Sequence, residues 1–235
     1  MQLFYNPDID EKTETFFFDK EESRHIVKVL RKTTGDKLLV TNGKGLLITT
    51  EIALGSDNKC IVKIVGSEVM PQRENYLHLA VAPTKMTDRF EWFLEKATEI
   101  GIDEITPLIC DHSERKALKT DRLEKIIQSA MKQSLQYYLP KFNEAVSFGS
   151  FLKLQQRGIK LIAHCEHGEK NLMTNIVSKS DDVTMLIGPE GDFSTSEIEL
   201  AIKNAYVPVS LGNNRLRTET AAVVACHTVA IINQN

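Results

Sequence analysis

Two short runs carry the residue types best suited to binding a small ligand and doing chemistry on it. The first is Leu186-Ile187-Gly188-Pro189-Glu190-Gly191, followed by Asp192-Phe193-Ser194. An apolar, strand-like stretch breaks into a turn with two glycines and a proline, and a helix start follows, with Ser194 as cap and Glu197 three residues on. Glycine at the carboxyl end of a strand lets backbone approach a ligand closely, and open α/β sheets bind ligands at that edge. The run is neither a dinucleotide fingerprint nor a P-loop, and by itself it also fits an ordinary strand-to-helix connection. The second run is Leu211-Gly212-Asn213-Asn214-Arg215-Leu216-Arg217-Thr218-Glu219-Thr220-Ala221. Here Thr218 or Thr220 can cap a helix and Glu219 suits its positive end. Arg217 does not, because a cation at a helix N-terminus opposes the dipole. Its placement points to an anionic neighbour, either Glu219 or a substrate, although a surface Arg–Glu pair would also account for it.

Weaker signals lie elsewhere. Pro83-Thr84-Lys85, with Asp88 and Arg89 beyond, follows another strand-like run and by itself reads first as a solvated helix start. His164-Cys165-Glu166-His167 superficially resembles metal ligands, but adjacent ligands have poor geometry and no second cluster exists, so no metal is expected. The net charge of −3 argues weakly against a polyanionic partner. Locally the balance reverses: Lys20, Arg24, Lys28, Arg31, Lys32, Lys37 and Lys44 face only Glu21, Glu22 and Asp36 over residues 20–44, and Arg115, Lys116 and Lys119 form a second basic cluster. The four cysteines (Cys60, Cys110, Cys165, Cys226) are scattered, which is neither a disulfide framework nor a zinc ribbon. No apolar run approaches the length of a bilayer span, and Met1-Gln2-Leu3-Phe4-Tyr5-Asn6-Pro7 lacks the charged lead and apolar stretch of a secretory leader, so a reduced, cytoplasmic location is expected.

The elements that must position these runs fall into two parts. With 235 residues, 42% apolar and 26% charged, the chain can bury two modest cores. Over the first part, one short helix is expected from Glu21 to Lys32, with strands at Lys37–Thr41, Leu46–Leu54 and Lys59–Val65 joined by Asn42-Gly43 and Gly55-Ser56-Asp57-Asn58. Short strands with tight turns suggest a small β-barrel-like domain ending near Met70-Pro71-Gln72-Arg73. From Tyr76 strand and helix alternate: strands at Leu77–Ala82, Ile105–Cys110, Lys160–His164, Val183–Gly188 and Val207–Leu211; helices at Thr87–Ile100, Asp121–Gln136, Ser194–Ala205 and Thr218–Ile232. That alternation predicts a mainly parallel, covered sheet. The last helix is apolar on nearly every side, so it is either central or covered by a partner chain.

With the two C-terminal runs at this spacing, the chain resembles the ribosomal small-subunit RNA methyltransferase E (RsmE) family of the SPOUT superfamily. The likeness extends to His25-Ile26-Val27-Lys28-Val29-Leu30-Arg31 with Gly35-Asp36, to Lys96-Ala97-Thr98-Glu99-Ile100-Gly101, to Ile105-Thr106-Pro107-Leu108, and to Ser113-Glu114-Arg115. The resemblance implies an α/β protein with an N-terminal PUA-like β-barrel over residues 1–71 and a SPOUT domain over 72–235 holding a deep trefoil knot. It implies a homodimer that binds S-adenosyl-L-methionine and N3-methylates a uridine of 16S ribosomal RNA near the decoding centre. The donor site would comprise His164, Leu186, Ile187, Gly188, Pro189, Glu190, Gly191, Leu211, Gly212, Leu216, Arg217, Thr218, Thr220 and Ala221. Arg24, Lys28, Arg31, Lys32, Lys85, Arg115 and Lys116 are the candidate RNA contacts. Two positions depart from the family pattern: Gln136 stands where an arginine is usual, and Asp192 where Glu190 is usually followed by two glycines. For that activity Arg217 is the candidate to stabilise a uridinate by a fixed positive charge, and Glu219 to orient Arg217 or relay a proton. A ribose 2′-O transferase with the same pocket, and an RNA-binding protein without activity, are the alternatives.

Overall fold

The computed structural model describes residues 2–166 and 168–234, so His167 of the histidine–cysteine run lies outside the described residues. The chain divides into two compact units: Met1–Gln72 with Met131–Leu139, and Arg73–Ala130 with Pro140–Asn235.

The first unit is a five-stranded sheet. Its strands are β1 (Leu3–Tyr5), β2 (Thr15–Phe17), β3 (Lys37–Thr41), β4 (Leu46–Leu54) and β5 (Ile61–Val69), in the order β1-β3-β4-β5-β2. All pairs are antiparallel except β1 with β3. Period-two patterning decides which side chains go inside: Leu38 and Val40 of β3 and Leu46, Ile48 and Ile52 of β4 join Phe4, Phe18, Ile26 and Val62 in one core. Irregular register between Thr49 and Thr50 and between Ile52 and Leu54 bends β4. The helix expected from Glu21 to Lys32 is a short α1 (Lys20–Arg24) followed by a π-helical turn at His25–Val29. Asp19 caps α1 by accepting the Glu22 N–H at 2.8 Å. The wide turn closes with the Leu30 N–H on the His25 carbonyl, and Arg31 then turns left-handed at φ 54°, which ends the helix early.

Residues 131–139, expected in the second domain, belong to this first unit. The Gly45 N–H donates to the Tyr137 carbonyl at 2.9 Å, the Leu139 N–H to the Gly43 carbonyl at 2.8 Å, and the Tyr138 hydroxyl to the Met70 carbonyl at 2.9 Å. Gly45, at φ 91°, has the Tyr138 phenol where a Cβ would stand, so this position requires glycine. Lys132 adds an ion pair to Glu22 at 2.6 Å.

The second unit is a parallel eight-stranded sheet. It comprises β6 (Leu77–Val81), β7 (Glu104–Ile109), β8 (Lys141–Phe142), β9 (Val146–Ser147), β10 (Ile159–Ala163), β11 (Asn171–Leu172), β12 (Val183–Ile187) and β13 (Val207–Ser210). The order is β11-β13-β10-β12-β6-β7-β8, with β9 also on β7. Every residue of β6 and β12 is buried, as in a sheet covered on both faces. The helices are α2 (Thr87–Ile100), α3 (Thr120–Gln133, its last three residues belonging to the first unit), α4 (Phe148–Phe151), α5 (Thr195–Lys203) and α6 (Thr218–Gln234). Gly101 at φ 114° caps α2, and Ser194 with Glu197 forms the expected capping box on α5. α6 packs on α2, β6 and β12 through Ala222, Ala225, Cys226 and Val229. That single stripe makes the last helix neither central nor wholly uncovered: Ile231 is 43% exposed, and Trp92 of α2 is 44% exposed. Among the described residues no helix is long and apolar enough to cross a membrane.

Candidate functional site

Strands β13, β10 and β12 are neighbours, so their carboxyl-terminal loops converge at one edge of the sheet. They enclose a cavity of about 720 Å³, and each loop builds one wall. The β12 wall is Ile187, Gly188, Pro189, Glu190 and Asp192; the β13 wall runs from Val209 to Thr218 and on to Ala221; the β10 wall is Ala163, His164 and Cys165, with Lys170 beyond. The first and second runs therefore meet, and the weaker histidine–cysteine run supplies the third side.

The walls are tied to one another by named bonds. The Thr218 hydroxyl donates to the Gly188 carbonyl at 3.0 Å, joining the start of α6 to the β12 loop. The Asp192 carboxylate accepts the Cys165 N–H at 2.7 Å and the Phe193 N–H at 2.9 Å. Lys170 donates to the His164 carbonyl at 2.7 Å and the Glu166 carbonyl at 2.6 Å. His112 Nδ1 lies 3.1 and 3.0 Å from the Gly191 and Asp192 carbonyls, which places its proton on that nitrogen. Behind the β12 loop, the Glu190 carboxylate accepts the Lys85 N–H at 3.0 Å. Space at Gly188 is tight: a Cβ there would come within 3.1 Å of the Phe193 ring.

His164 is the chemically unsettled residue of the cavity. Both its ring nitrogens are buried and have no hydrogen-bond partner among the described residues. Burial holds its pKa below the ordinary histidine value and the Lys170 ammonium adds to that, against the opposing carboxylates of Asp192 and Glu166. A neutral imidazole with two unused polar edges facing a cavity is what a polar ligand would satisfy.

Of the expected donor residues, His164, Ile187, Gly188, Pro189, Glu190, Leu211, Gly212, Leu216, Arg217, Thr218 and Ala221 line the cavity, whereas Leu186, Gly191 and Thr220 do not. Leu186 faces the core, fully buried. Arg217 is exposed at the rim, and its guanidinium has no hydrogen bond or ion pair among the described residues. The expected link from Glu219 to Arg217 is replaced by another. Glu219 is 7% exposed and off the cavity, and the cation within 4 Å of its carboxylate is Arg89 of α2, at 3.9 Å. Its first-turn position on α6 turns Glu219 inward while Arg217, just before the helix, stays outside. Its second oxygen, Oε2, is buried without a hydrogen bond.

The basic candidates fall into two groups by unit. In the first, Arg24 and Arg31 are exposed with no acidic partner among the described residues, while Lys28 reaches Asp57 at 3.7 Å and Lys32 reaches Asp36 at 3.9 Å. In the second, Lys85 pairs with Glu114 at 2.8 Å, and Arg115 is spent on the Lys85 carbonyl at 2.9 Å; Lys116 is exposed. Arg115 is thus a loop staple in this structure. Sequence reasoning missed Lys170 as a support of the site, and it set Arg89 in a solvated helix start without its link to Glu219, because each acts through a contact that no local pattern announces. No group of three histidine, cysteine, aspartate or glutamate side chains able to hold a metal occurs among the described residues.

The first unit's sheet, the parallel sheet of the second and the three-loop cavity together describe an RNA methyltransferase: the family model for the RNA methyltransferase domain matches residues 71–230, and that for the RNA methyltransferase PUA domain matches residues 18–65. A Porphyromonas gingivalis protein described as a probable rRNA-methyltransferase superimposes with a TM-score of 0.92 at 38% identity, over 100% of this chain and 99% of that one. A Legionella pneumophila methyltransferase solved with the bound cofactor SAM gives 0.88 at 28% identity, over 98% of this chain and 97% of that one. The ribosomal RNA small subunit methyltransferase E of Buchnera aphidicola subsp. Acyrthosiphon pisum is 30% identical over 95% of this chain and 90% of its own length. The chain belongs to the ribosomal RNA small subunit methyltransferase E family.

Proposed function

We propose that this protein transfers a methyl group from S-adenosyl-L-methionine to N3 of one uridine of 16S ribosomal RNA, near the decoding centre of the small subunit. The observation that carries the reading is the three-loop cavity at the edge of the parallel sheet, with the two unpartnered ring nitrogens of His164 on its wall. Those nitrogens, the backbone of Gly188–Glu190 and Leu211–Leu216, and the neutral state of His164 suit a ligand that is polar and cationic. The donor supplies a sulfonium-bound methyl group, transferred to an attacking lone pair. Uracil N3 carries a proton and attacks poorly until it is lost. Arg217, unpaired at the rim, stabilises the uridinate as negative charge develops, and because it is fixed in advance it does so without reorganisation. Glu219 acts at one remove, through Arg89 and the start of α6. Holding base and donor in line contributes the rest.

Residues 1–71 act as the PUA-like RNA-binding domain, presenting Arg24, Lys28, Arg31 and Lys32 to phosphates, with Lys85 and Lys116 as further contacts from the methyltransferase domain, 72–235, and Arg115 holding the loop that carries Lys85. Membership of the RNA methyltransferase family supports a deep trefoil knot in this domain. Exposed Trp92 of α2 and Ile231 of α6 support a homodimer. The site of action is the cytoplasm, where ribosomal RNA is.

The test is transfer of labelled methyl from S-adenosylmethionine to unmethylated small subunits, with nucleoside analysis. 3-Methyluridine is the expected product. Label on a ribose would move the reaction to 2′-O transfer, and absence of both transfer and donor binding would leave an RNA-binding protein.

A further inference from the structure

Asp192 follows Gly191 in the β12 loop, and its backbone lies in the left-handed region, φ 65°. Left-handed backbone is strained for an L-residue unless a local bond offsets it. The offset is visible. One carboxylate oxygen accepts the Cys165 N–H at 2.7 Å and the other the Phe193 N–H at 2.9 Å. Cys165 follows His164 directly, so the bond fixes the β10 wall against the β12 loop at the residue that bears the unpartnered imidazole. His112 holds the same stretch from behind, through the Gly191 and Asp192 carbonyls. A glycine at 192 would satisfy the backbone and leave the Cys165 N–H without this acceptor.

We propose that Asp192 is a positioning residue of the donor cavity, a carboxylate clip that sets the separation of the His164–Cys165 wall from the Gly188–Glu190 loop and so sets donor affinity. The inference rests on the cavity being the donor site. A hydrogen bond to an ionised acceptor, formed before the ligand arrives, removes an ordering cost from binding. The clip therefore acts on the affinity for donor and leaves the methyl-transfer step to other groups.

The test uses Asp192→Gly, Asp192→Asn and the unaltered protein. Glycine accepts φ 65° without strain, so its effect isolates the carboxylate; asparagine tolerates the same backbone and keeps one acceptor oxygen. In donor-free protein, Cys165 is the exposed thiol, the other three being buried, so alkylation by iodoacetamide, located by peptide mass, reports the freedom of that wall. Asp192→Gly should alkylate Cys165 about threefold faster or more and weaken S-adenosylmethionine binding, by calorimetry, about tenfold, the lower end of the scale of one charge-assisted hydrogen bond. The loss should fall on the donor KM rather than kcat, and Asp192→Asn should recover part of it. Asp192→Gly matching the unaltered protein in both alkylation and affinity would overturn the clip. Failure of the unaltered protein to bind donor would overturn the donor site instead, while the alkylation comparison would still decide whether Asp192 restrains the wall.

Discussion

Arg217 and Glu219 are two positions apart, and the fold sends them in different directions. Arg217 is at the rim without a partner; Glu219 is buried against Arg89. Their replacement should therefore fail differently. Arg217→Ala should lower kcat about a hundredfold, the usual cost of deleting one preorganised donor to developing charge, with donor affinity by calorimetry nearly unchanged. Equal turnover would remove Arg217 from the chemistry. Arg89→Ala should instead lower thermal stability, because it leaves the Glu219 carboxylate buried with no cation near. The full cost of breaking a buried pair is several kcal/mol, but Arg89 is a third exposed and 3.9 Å away, so about 1–2 kcal/mol is expected. Adding Glu219→Gln to Arg89→Ala should restore part of the melting temperature, and a purely additive double mutant would show that the two side chains do not interact. At this scale the sequence was legible wherever a residue's reason is local. Gly188, Gly212 and Thr218 follow strands and precede helices, and that alone marks them. Lys170 and Asp192 act by reaching backbone carbonyls and N–H groups of another stretch, Asp192 across 27 positions, and spacing carries no trace of such a bond.

Elements were legible where periodicity runs long. α2, α5 and α6 and the central strands lie within a few residues of their expected bounds, since an apolar stripe or a fully buried run specifies each. The two-residue strands β8, β9 and β11 have no such signal, and neither does β1. The allegiance of the 131–139 stretch to the first unit is not legible in the sequence, because it is carried by Tyr137 and Tyr138 against Gly45 and by Leu139 against Gly43, more than ninety positions earlier. The starts of β6 and β7 hold a second group that periodicity does not reveal, and it governs acid stability. His78 is buried, and desolvation holds its pKa below the ordinary 6.5 even though Glu104 opposes the shift. A depressed histidine pKa means that the unfolded chain takes up the proton first. The contribution is complete above about pH 6.5 and is lost as pH falls through the lower, folded value. For Glu104 burial alone would raise the pKa, but hydrogen bonds from Asn143 and Lys141, with Tyr76 as well, outweigh it and pull the carboxyl down to about 2. Its contribution is present above the ordinary 4.5 and lost as pH falls towards 2. Melting temperature against pH should therefore decline in two stages. His78→Gln should flatten the stage below pH 6.5, and Glu104→Gln the one below pH 4.5. A profile unchanged by either substitution would show that these groups do not set it.

For the whole molecule the net charge of −3 is a poor guide to its partner, because affinity for RNA follows the cations that displace counterions, not the sum. The four basic candidates of the first unit are not equivalent in that respect. Lys28 and Lys32 already have carboxylates within 4 Å, and although exposed pairs of this kind are weak, each must be given up in part when a phosphate arrives. Arg24 and Arg31 have no such competitor among the described residues, and a guanidinium grips phosphate with two parallel N–H groups. If both arginines touch phosphates, Arg24→Ala with Arg31→Ala should reduce the slope of log affinity against log salt by about 1–2, close to one per contact, and weaken binding alike for matched and mismatched RNA. Lys28→Ala with Lys32→Ala should reduce it by less. The measurement is RNA binding at four or five salt concentrations for each pair, with the donor present throughout. Slopes unchanged in the arginine pair would place the RNA on another face. An equal loss in both pairs would mean that Asp57 and Asp36 do not compete, so that position alone ranks these cations.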